Sequence, residues 1–263
     1  MDQLDAGDRG MNEALELTPI LDGRVRCVQP AEGFRFSVDA LLLARFALET
    51  ADRGSFVELA AGCGVVSALL ARAGMGEGVA LELNPVLLRC ARETMAANGL
   101  ESRVRVELAD LRTLKPLLAA GCASTVVANP PYFPAGTARV SEDAGNAGAR
   151  HELTCTMEDV LSAGRYLLPE GGRLVLVYPA WRLDELMQRL PAFKLGAARL
   201  RLVHPREGKP ASHLLLQAVK ARVPRLVVEA PWLIHGVDGR YTGWYSELVT
   251  RMDEAPSQSP GPA

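Results

Sequence analysis

The sequence is short of the features that define several large protein classes. Cysteine is scarce and odd in number: Cys27, Cys63, Cys90, Cys122 and Cys155 lie far apart and never form a C-x-x-C pair. That argues against a disulfide framework and a zinc ribbon, and leaves all five as small core residues. The four histidines, His151, His204, His213 and His235, lack metal-ligand spacing, so no metal is expected. Long apolar runs are missing as well. Stretches such as 40–44 and 126–128 fall far short of the ~20 residues that span a bilayer. The N-terminus carries Asp2, Asp5 and Asp8 where a secretory signal would be basic. The expectation is a soluble, cytoplasmic protein without a membrane partner.

What is present can build a core. Apolar residues make up 48% of the 263 positions, enough for a sizeable interior. The net charge of −2 would by itself speak against nucleic acid, but its distribution is uneven. Segment 191–225 carries Lys194, Arg199, Arg201, Arg206, Lys209, Lys220, Arg222 and Arg225 against Glu207 alone. Screening confines each field to about 10 Å, so such a patch can contact phosphates whatever the net charge. The alternative is a solvated strand face with scattered arginines.

Along the chain, Asp22-Gly23 between short extended runs over 18–29 signals a hairpin. Gly33-Phe34-Arg35-Phe36-Ser37-Val38-Asp39 then leads into a helix over 40–48, with Ser37 or Asp39 as its N-cap. From residue 55 the pattern is strand (55–59), Gly62-Cys63-Gly64, helix (65–73) and strand (79–83), a βαβ unit. A glycine turn lets the backbone approach a ligand, and an acid ending the second strand, Glu82, can take both hydroxyls of a ribose. Ser67 stands where a dinucleotide fingerprint has its third glycine, so nucleoside binding is expected rather than a nicotinamide cofactor.

Alternation continues with a helix over 85–98, opened by Asn84-Pro85 and stopped by Asn98-Gly99, and a strand over 104–108 followed by Asp110. A short helix over 111–120 and a strand over 124–128 follow. The four strands thus bring Glu58 and Gly62, Glu82, Asp110 and Asn129 to their carboxyl ends, the edge where open α/β sheets bind ligands. For any one of these acids the competing role is a helix cap or solvated turn. Residues 134–150 read as a loop long enough to fold over a substrate. Beyond it come a helix (157–168), a strand (173–178), a helix (181–190), two strands (198–203 and 213–219) joined too tightly to be parallel, and an edge strand (226–228).

The centre of this pattern is the apolar run 126–128 ending in Asn129-Pro130-Pro131-Tyr132-Phe133. Consecutive prolines donate no backbone hydrogen bond, so the sheet ladder stops there and a rim of acceptors remains. Asn129 adds a side-chain carbonyl and Pro130 a backbone carbonyl, suited to the two hydrogens of a planar amine. Tyr132 adds a face for stacking. A simple strand-ending turn is the other reading of the same residues.

Five alternating units and a terminal hairpin, with G-x-G after the first strand and Asn-Pro-Pro-Tyr after the fourth, resemble the class I S-adenosylmethionine-dependent methyltransferases. The leader from Gln29-Pro30 through Phe34-Arg35-Phe36-Ser37-Val38-Asp39, with Ala149-Arg150-His151-Glu152, Gly208-Lys209-Pro210 and Asp238-Gly239-Arg240-Tyr241-Thr242, is similar to one group within them. These are the bacterial tRNA (adenine-N6)-methyltransferases that modify the adenine 3′ of the anticodon in a valine tRNA. The resemblance, from about Thr18 to Val249, implies an α/β Rossmann-like fold: a mostly parallel seven-stranded sheet with an antiparallel last strand, preceded by a hairpin and helix. It implies one domain over 17–252 (hairpin and helix 18–50, cofactor half 54–133, substrate half 134–250), a frayed 1–16 and a disordered 253–263. It implies S-adenosyl-L-methionine held by Phe36, Asp39, Glu58, Gly62, Gly64, Glu82 and Asp110, and a target amine held by Asn129, Pro130, Pro131 and Tyr132. Phe133, Arg150 and Lys209 are assigned to the substrate, and the partner is a tRNA anticodon loop met by a monomer through the basic segment. Ala60 departs from the glycine that many such enzymes carry. The rival acceptors are the glutamine of a release factor, whose methyltransferases normally carry a helical N-terminal domain, and the N2 amine of an rRNA guanine.

Overall fold

A computed structural model describes residues 13–49, 53–130 and 155–251. The expected hairpin is present: β1 (Leu15–Ile20) and β2 (Val25–Pro30) pair antiparallel across a turn in which Leu21, Asp22 and Gly23 all have positive φ. β1 begins inside the stretch read as frayed. The outward backbone groups of β2 meet the side chains of a helix rather than another strand. Arg26 N–H donates to Asn98 Oδ1 (3.0 Å), whose Nδ2 donates to Arg26 O (2.7 Å), and Val28 N–H donates to Thr94 Oγ1 (2.9 Å).

Helix α1 (Val38–Leu48) follows and buries most of its surface. Ser37 sits at its N-cap in extended conformation, but the hydroxyl donates to Asp39 Oδ2 (2.8 Å) instead of accepting a helix N–H. Asp39 thereby lies in the first turn, where a negative charge suits the helix dipole.

Then comes the alternation: β3 (Phe56–Leu59), α2 (Val65–Arg72), β4 (Gly78–Glu82), α3 (Pro85–Ala97), β5 (Val104–Leu108), β6 (Thr125–Ala128), α4 (Met157–Leu167), β7 (Arg173–Pro179), α5 (Leu183–Arg189), β8 (Leu195–Arg206), β9 (His213–Lys220), β10 (Val227–Val228), β11 (Trp232–His235) and α6 (Gly243–Arg251). The strand order is β10-β8-β9-β7-β6-β3-β4-β5. β9 runs antiparallel to both its neighbours, β7 and β8, and the other pairings in this sheet are parallel. The sheet has nine strands rather than seven. Its excess comes from β8, twelve residues long, whose outer edge accepts β10 at Arg199–Leu200 and β11 from Val203 to Arg206 in tandem.

Central strands are apolar on both faces because both are covered. Val127, Val175 and Val177 pack in one core cluster with α1, α2 and α3, while Val126, Ala128, Leu174 and Leu176 pack in another with α4 and α5. Segment 111–120 is not the helix expected from its leucine spacing. Turns occupy it, with Leu117 and Leu118 N–H both donating to Leu114 O (2.9 and 3.0 Å). Pro116 supplies no N–H and interrupts a longer run. Leu114 and Leu118 reach the core regardless. Cysteine placement also differs from expectation: Cys27, Cys63 and Cys90 are buried, but Cys122 is exposed and Cys155 half-buried.

Candidate active site

From β3 the chain steps outward to β4 and β5, then returns to β6 on the other side of β3. Such a reversal opens a crevice at the carboxyl ends of the strands. Here the register sets Leu59 beside Ala128, so the turn after β3 and the Asn129-Pro130 exit from β6 leave the sheet side by side. Between them lies a cavity of about 530 Å³.

Its floor is the turn after β3. Ala60, Gly62 and Gly64 all have positive φ (+51°, +55° and +74°). For Gly62 the conformation is inexpensive, whereas Ala60 holds its Cβ against the following backbone. Gly62 has a second constraint, because a Cβ there would come within 3.1 Å of the Phe34 ring. Gly64 does not line the cavity. It caps α2, and a Cβ on it would meet Met95 and Ala91 of α3 at 3.1 and 3.2 Å. Its place is therefore at a helix–helix contact.

The acids stand around this turn in different states. Glu82, at the end of β4, is buried and accepts three backbone N–H groups: Gly62 to Oε2 (2.7 Å) and Leu83 and Asn84 to Oε1 (2.9 Å each). This fixes the glycine turn to the end of the neighbouring strand. Glu58 is 2% exposed and accepts from Ser67 N–H (2.8 Å) and Oγ–H (2.5 Å). Burial outweighs these bonds and, with the nearby charge of Glu82, pushes its pKa up to about 8. Asp110 is the opposite case. The Arg112 side chain meets both its oxygens at 2.6 to 3.0 Å and the Arg112 N–H adds a bond, which together lower its pKa. Asp39, in the first turn of α1, lies on the wall, with His213 Nε2 3.1 Å from its Oδ1.

Phe36, Asp39, Glu58, Gly62, Glu82, Asp110, Asn129 and Pro130 are thus gathered around one cavity. Lys209 is not: it is exposed on the β8–β9 turn, and its carbonyl oxygen lies 2.7 Å from His204 Nδ1. Pro131, Tyr132, Phe133 and Arg150, and the loop expected over 134–150, lie outside the described residues. Sequence reasoning missed Phe34, Cys155 and Asp159 on the wall. Phe34 had a signal in the glycine-aromatic leader, while Cys155 and Asp159 arrive only through the placement of α4. Cys63 and Cys155 both face the cavity. Hydrogen bonding with Cys27 together with burial holds the Cys63 thiol above its usual range, and burial pushes Cys155 up to about 11. Both stay protonated and poorly nucleophilic near neutrality. Among the described residues no group of three or more His, Cys, Asp or Glu is placed to hold a metal ion, and no helix is long and apolar enough to cross a membrane.

The basic segment is only partly available. Arg199 and Arg201 fold onto Glu49 (2.8 and 2.9 Å) and Glu229, and their guanidinium groups lie over the rings of Phe46 and Trp232 (4.4 Å each). Lys220 donates to Leu168 O (2.5 Å). These three tie β8 and β9 to their surroundings, so the solvated arginine face weighed from the sequence describes them poorly, and so does a phosphate patch.

Comparison with known proteins follows the same lines. The sequence matches the family model described as "Methyltransferase small domain" over residues 37–188, more than half the chain. The chain belongs to the methyltransferase small domain family. Relatives of this methyltransferase include a tRNA1(Val) (adenine(37)-N6)-methyltransferase of Aeromonas hydrophila, 30% identical over 218 residues, covering 82% of this chain and 89% of the relative. A protein of the same description from Porphyromonas gingivalis is 28% identical over 229 residues, covering 84% and 87%. Among solved structures, a predicted O-methyltransferase from Agrobacterium tumefaciens superposes with a TM-score of 0.66 at 22% identity, over 84% of this chain and all of that one. A Thermus thermophilus 16S rRNA N2 methyltransferase, solved with AdoMet and guanosine, gives 0.54 at 18% identity, over 79% of this methyltransferase and 50% of that chain. The fold is therefore the Rossmann-like α/β fold of class I methyltransferases.

Proposed function

We propose that this methyltransferase uses S-adenosyl-L-methionine to methylate the exocyclic N6 amine of an adenine in a tRNA anticodon loop, adenine 37 of a valine tRNA, as the names of its relatives read. The observation that carries the proposal is the placement of Asn129 and Pro130 on the wall of the same cavity as Glu82, Asp110 and the glycine turn.

The residues suit the cofactor. Glu82 uses three bonds to hold its own turn, and a carboxylate has about four acceptor sites, so one remains for a ribose hydroxyl. Phe36 offers an apolar wall. Asp110 is the acceptor for an adenine amine, and Arg112, whose side chain is 54% exposed, is able to release one of its oxygens. Neutral Glu58 beneath the turn can give up its proton when a cationic group enters. S-adenosyl-L-methionine supplies a methyl activated by its sulfonium. The protein's task is then placement. An N6 lone pair is delocalised into the adenine ring, and two acceptors, Asn129 Oδ1 and Pro130 O, hold its hydrogens, favour a more tetrahedral nitrogen and stabilise its developing positive charge. No strong base is needed before attack, in keeping with thiols that remain protonated. Tyr132 is the stacking face for the base, with Pro131 stiffening the rim.

The test incubates the enzyme and methyl-labelled S-adenosyl-L-methionine with unmodified total tRNA or, separately, with a release factor, and identifies the product by digestion and mass spectrometry. N6-methyladenosine in one tRNA species is expected. Label only in the release factor would keep the amine grip and overturn the RNA acceptor. Asn129→Ala should cut turnover about a hundredfold or more while cofactor affinity stays within about twofold. Equal loss of both would remove Asn129 from the amine.

A further inference from the structure

The motif Asp238-Gly239-Arg240-Tyr241-Thr242 has no part in the cavity, yet it builds an exposed turn held by several hydrogen bonds. Thr242 clamps its base, donating N–H to Ile234 O (3.0 Å) and Oγ1–H to Leu233 O (2.7 Å). Gly236 N–H donates to Arg240 O (2.9 Å), Asp238 Oδ1 accepts from Arg240 N–H (3.0 Å), and His235 and Tyr241 form a β-bridge. The outcome is a ladder of rings. His235 and Tyr241 have centroids 4.9 Å apart at 31°, and Tyr241 and Tyr245 4.8 Å apart at 40°.

The ladder has an inside and an outside. Tyr245 is buried, and its phenol is raised by burial with help from the charges of Tyr241 and Asp39. α6 is further fixed to α1 through Trp244, tilted over Trp232 (4.4 Å, 31°), which in turn meets Phe46 edge-on (6.4 Å, 89°). At the other end, His235 Nδ1 lies 2.9 Å from Pro205 O, which joins the ladder to the end of β8. Tyr241 itself is 57% exposed, although a ring with only a packing role at this place would be covered as Tyr245 is. Arg240 precedes it in the chain, Arg206 at the end of β8 pairs in register with His235, and Lys209 lies on the β8–β9 turn that follows. All three are exposed, and among the described residues none is paired with a carboxylate, in contrast to Arg199 and Arg201.

An exposed aromatic face held by hydrogen bonds and ring contacts, with exposed cations on the same segments, matches the chemistry of unpaired RNA: a base to stack and phosphates to neutralise. We propose that Tyr241, supported by His235 and Tyr245, is a stacking platform for an unpaired nucleobase of the RNA acceptor other than the methylated one, with Arg206, Lys209 and Arg240 taking adjacent phosphates. This rests on the RNA reading of the acceptor and assigns the means by which the loop is held in register.

The experiment compares full-length wild type, Tyr241→Phe and Tyr241→Ala for methyl transfer to a tRNA transcript and for cofactor affinity, at two salt concentrations. Tyr241→Ala should raise the KM for tRNA roughly tenfold to a hundredfold, with cofactor affinity and the salt dependence unchanged. Tyr241→Phe, which keeps the ring, should stay within about twofold. If wild type transfers no methyl to tRNA, the acceptor reading itself is wrong and the platform falls with it. If wild type is active and Tyr241→Ala matches it, the RNA reading stands and the platform is refuted. Parallel loss of cofactor affinity in Tyr241→Ala, or a Phe variant as weak as the Ala variant, would also refute stacking, since the ring would then be serving the fold or acting through its hydroxyl.

Discussion

Replacing Glu58 by glutamine tests the electrostatics of the cavity through stability alone. In the folded protein this carboxyl holds its proton up to about pH 8, against 4.5 for an ordinary glutamate, because burial disfavours the anion. Below pH 4.5 it is protonated folded and unfolded, so its full contribution to stability is present. Between 4.5 and about 8 the unfolded chain releases the proton while the folded one keeps it, so stability falls as pH rises; above 8 the loss is complete. At about 1.4 kcal/mol per pH unit, that window makes the wild type roughly 5 kcal/mol less stable than a protein with nothing to titrate at position 58. The amide introduced by Glu58→Gln is close in shape to the neutral acid and keeps an oxygen for both Ser67 donors. Urea unfolding of both proteins at pH 5, 7 and 9 measures the gap directly and cancels the titration of all other groups. The gap should widen in favour of the variant by several kcal/mol across the series. A gap that stays constant to within about 1 kcal/mol would refute the argument. The same physics predicts that affinity for a cationic cofactor rises with pH towards 8 in the wild type and stays flat in the variant.

Three further outcomes follow from the packing. Ala60→Gly relieves a left-handed alanine worth about 1–2 kcal/mol and loosens the unfolded chain by rather less, so denaturant melts should show stabilisation by about 0.5–1 kcal/mol. Arg201→Ala strips Glu49 and Glu229 of a partner in a mostly covered network, and should destabilise by about 2–3 kcal/mol while leaving the salt dependence of RNA binding unaltered. Lys209→Glu should do the reverse, weakening RNA binding with a salt slope smaller by about one and leaving the unfolding midpoint in place.

The alternating half of the chain was legible because its signals are local and redundant. Pro85 after Asn84, Asn98-Gly99 and the apolar runs each mark a boundary, and Asn84 Oδ1 indeed accepts from Val86 and Leu87 N–H (2.8 and 3.2 Å). Strand order then brought Glu58, Glu82, Asp110 and Asn129 to one edge. Periodicity misled at 111–120, where leucines spaced for a helix serve one turn around Pro116. β11 escaped notice for the opposite reason. Four residues, Trp232–His235, make a strand only because β8 is long enough to offer a second site on its edge. α6 escaped notice too, but the helix that starts at Gly243 did carry a signal, since Thr242 caps it and its Oγ1 accepts from Tyr245 N–H (3.2 Å). The basic segment was counted correctly and partly misjudged, since a sequence shows charges but not that Glu49, some 150 residues away in the chain from Arg199 and Arg201, returns to neutralise two of them. The Arg112 grip on Asp110 was likewise invisible, although only one residue separates the pair.

The side chains of Thr94 on α3 and of Asn98, its C-cap, take up the outward backbone groups of Arg26 and Val28 on β2, and that arrangement bears on how the protein behaves in a crowded cell. A two-stranded hairpin outside the main sheet offers its unpaired edge to any passing strand, including that of another copy of the same chain. Here the vacancy is filled from within by two polar groups one helical turn apart, spaced to imitate an added strand. Self-association by strand addition is thereby closed off on that side, and the body of α3, against which the buried residues of β2 pack, keeps it closed.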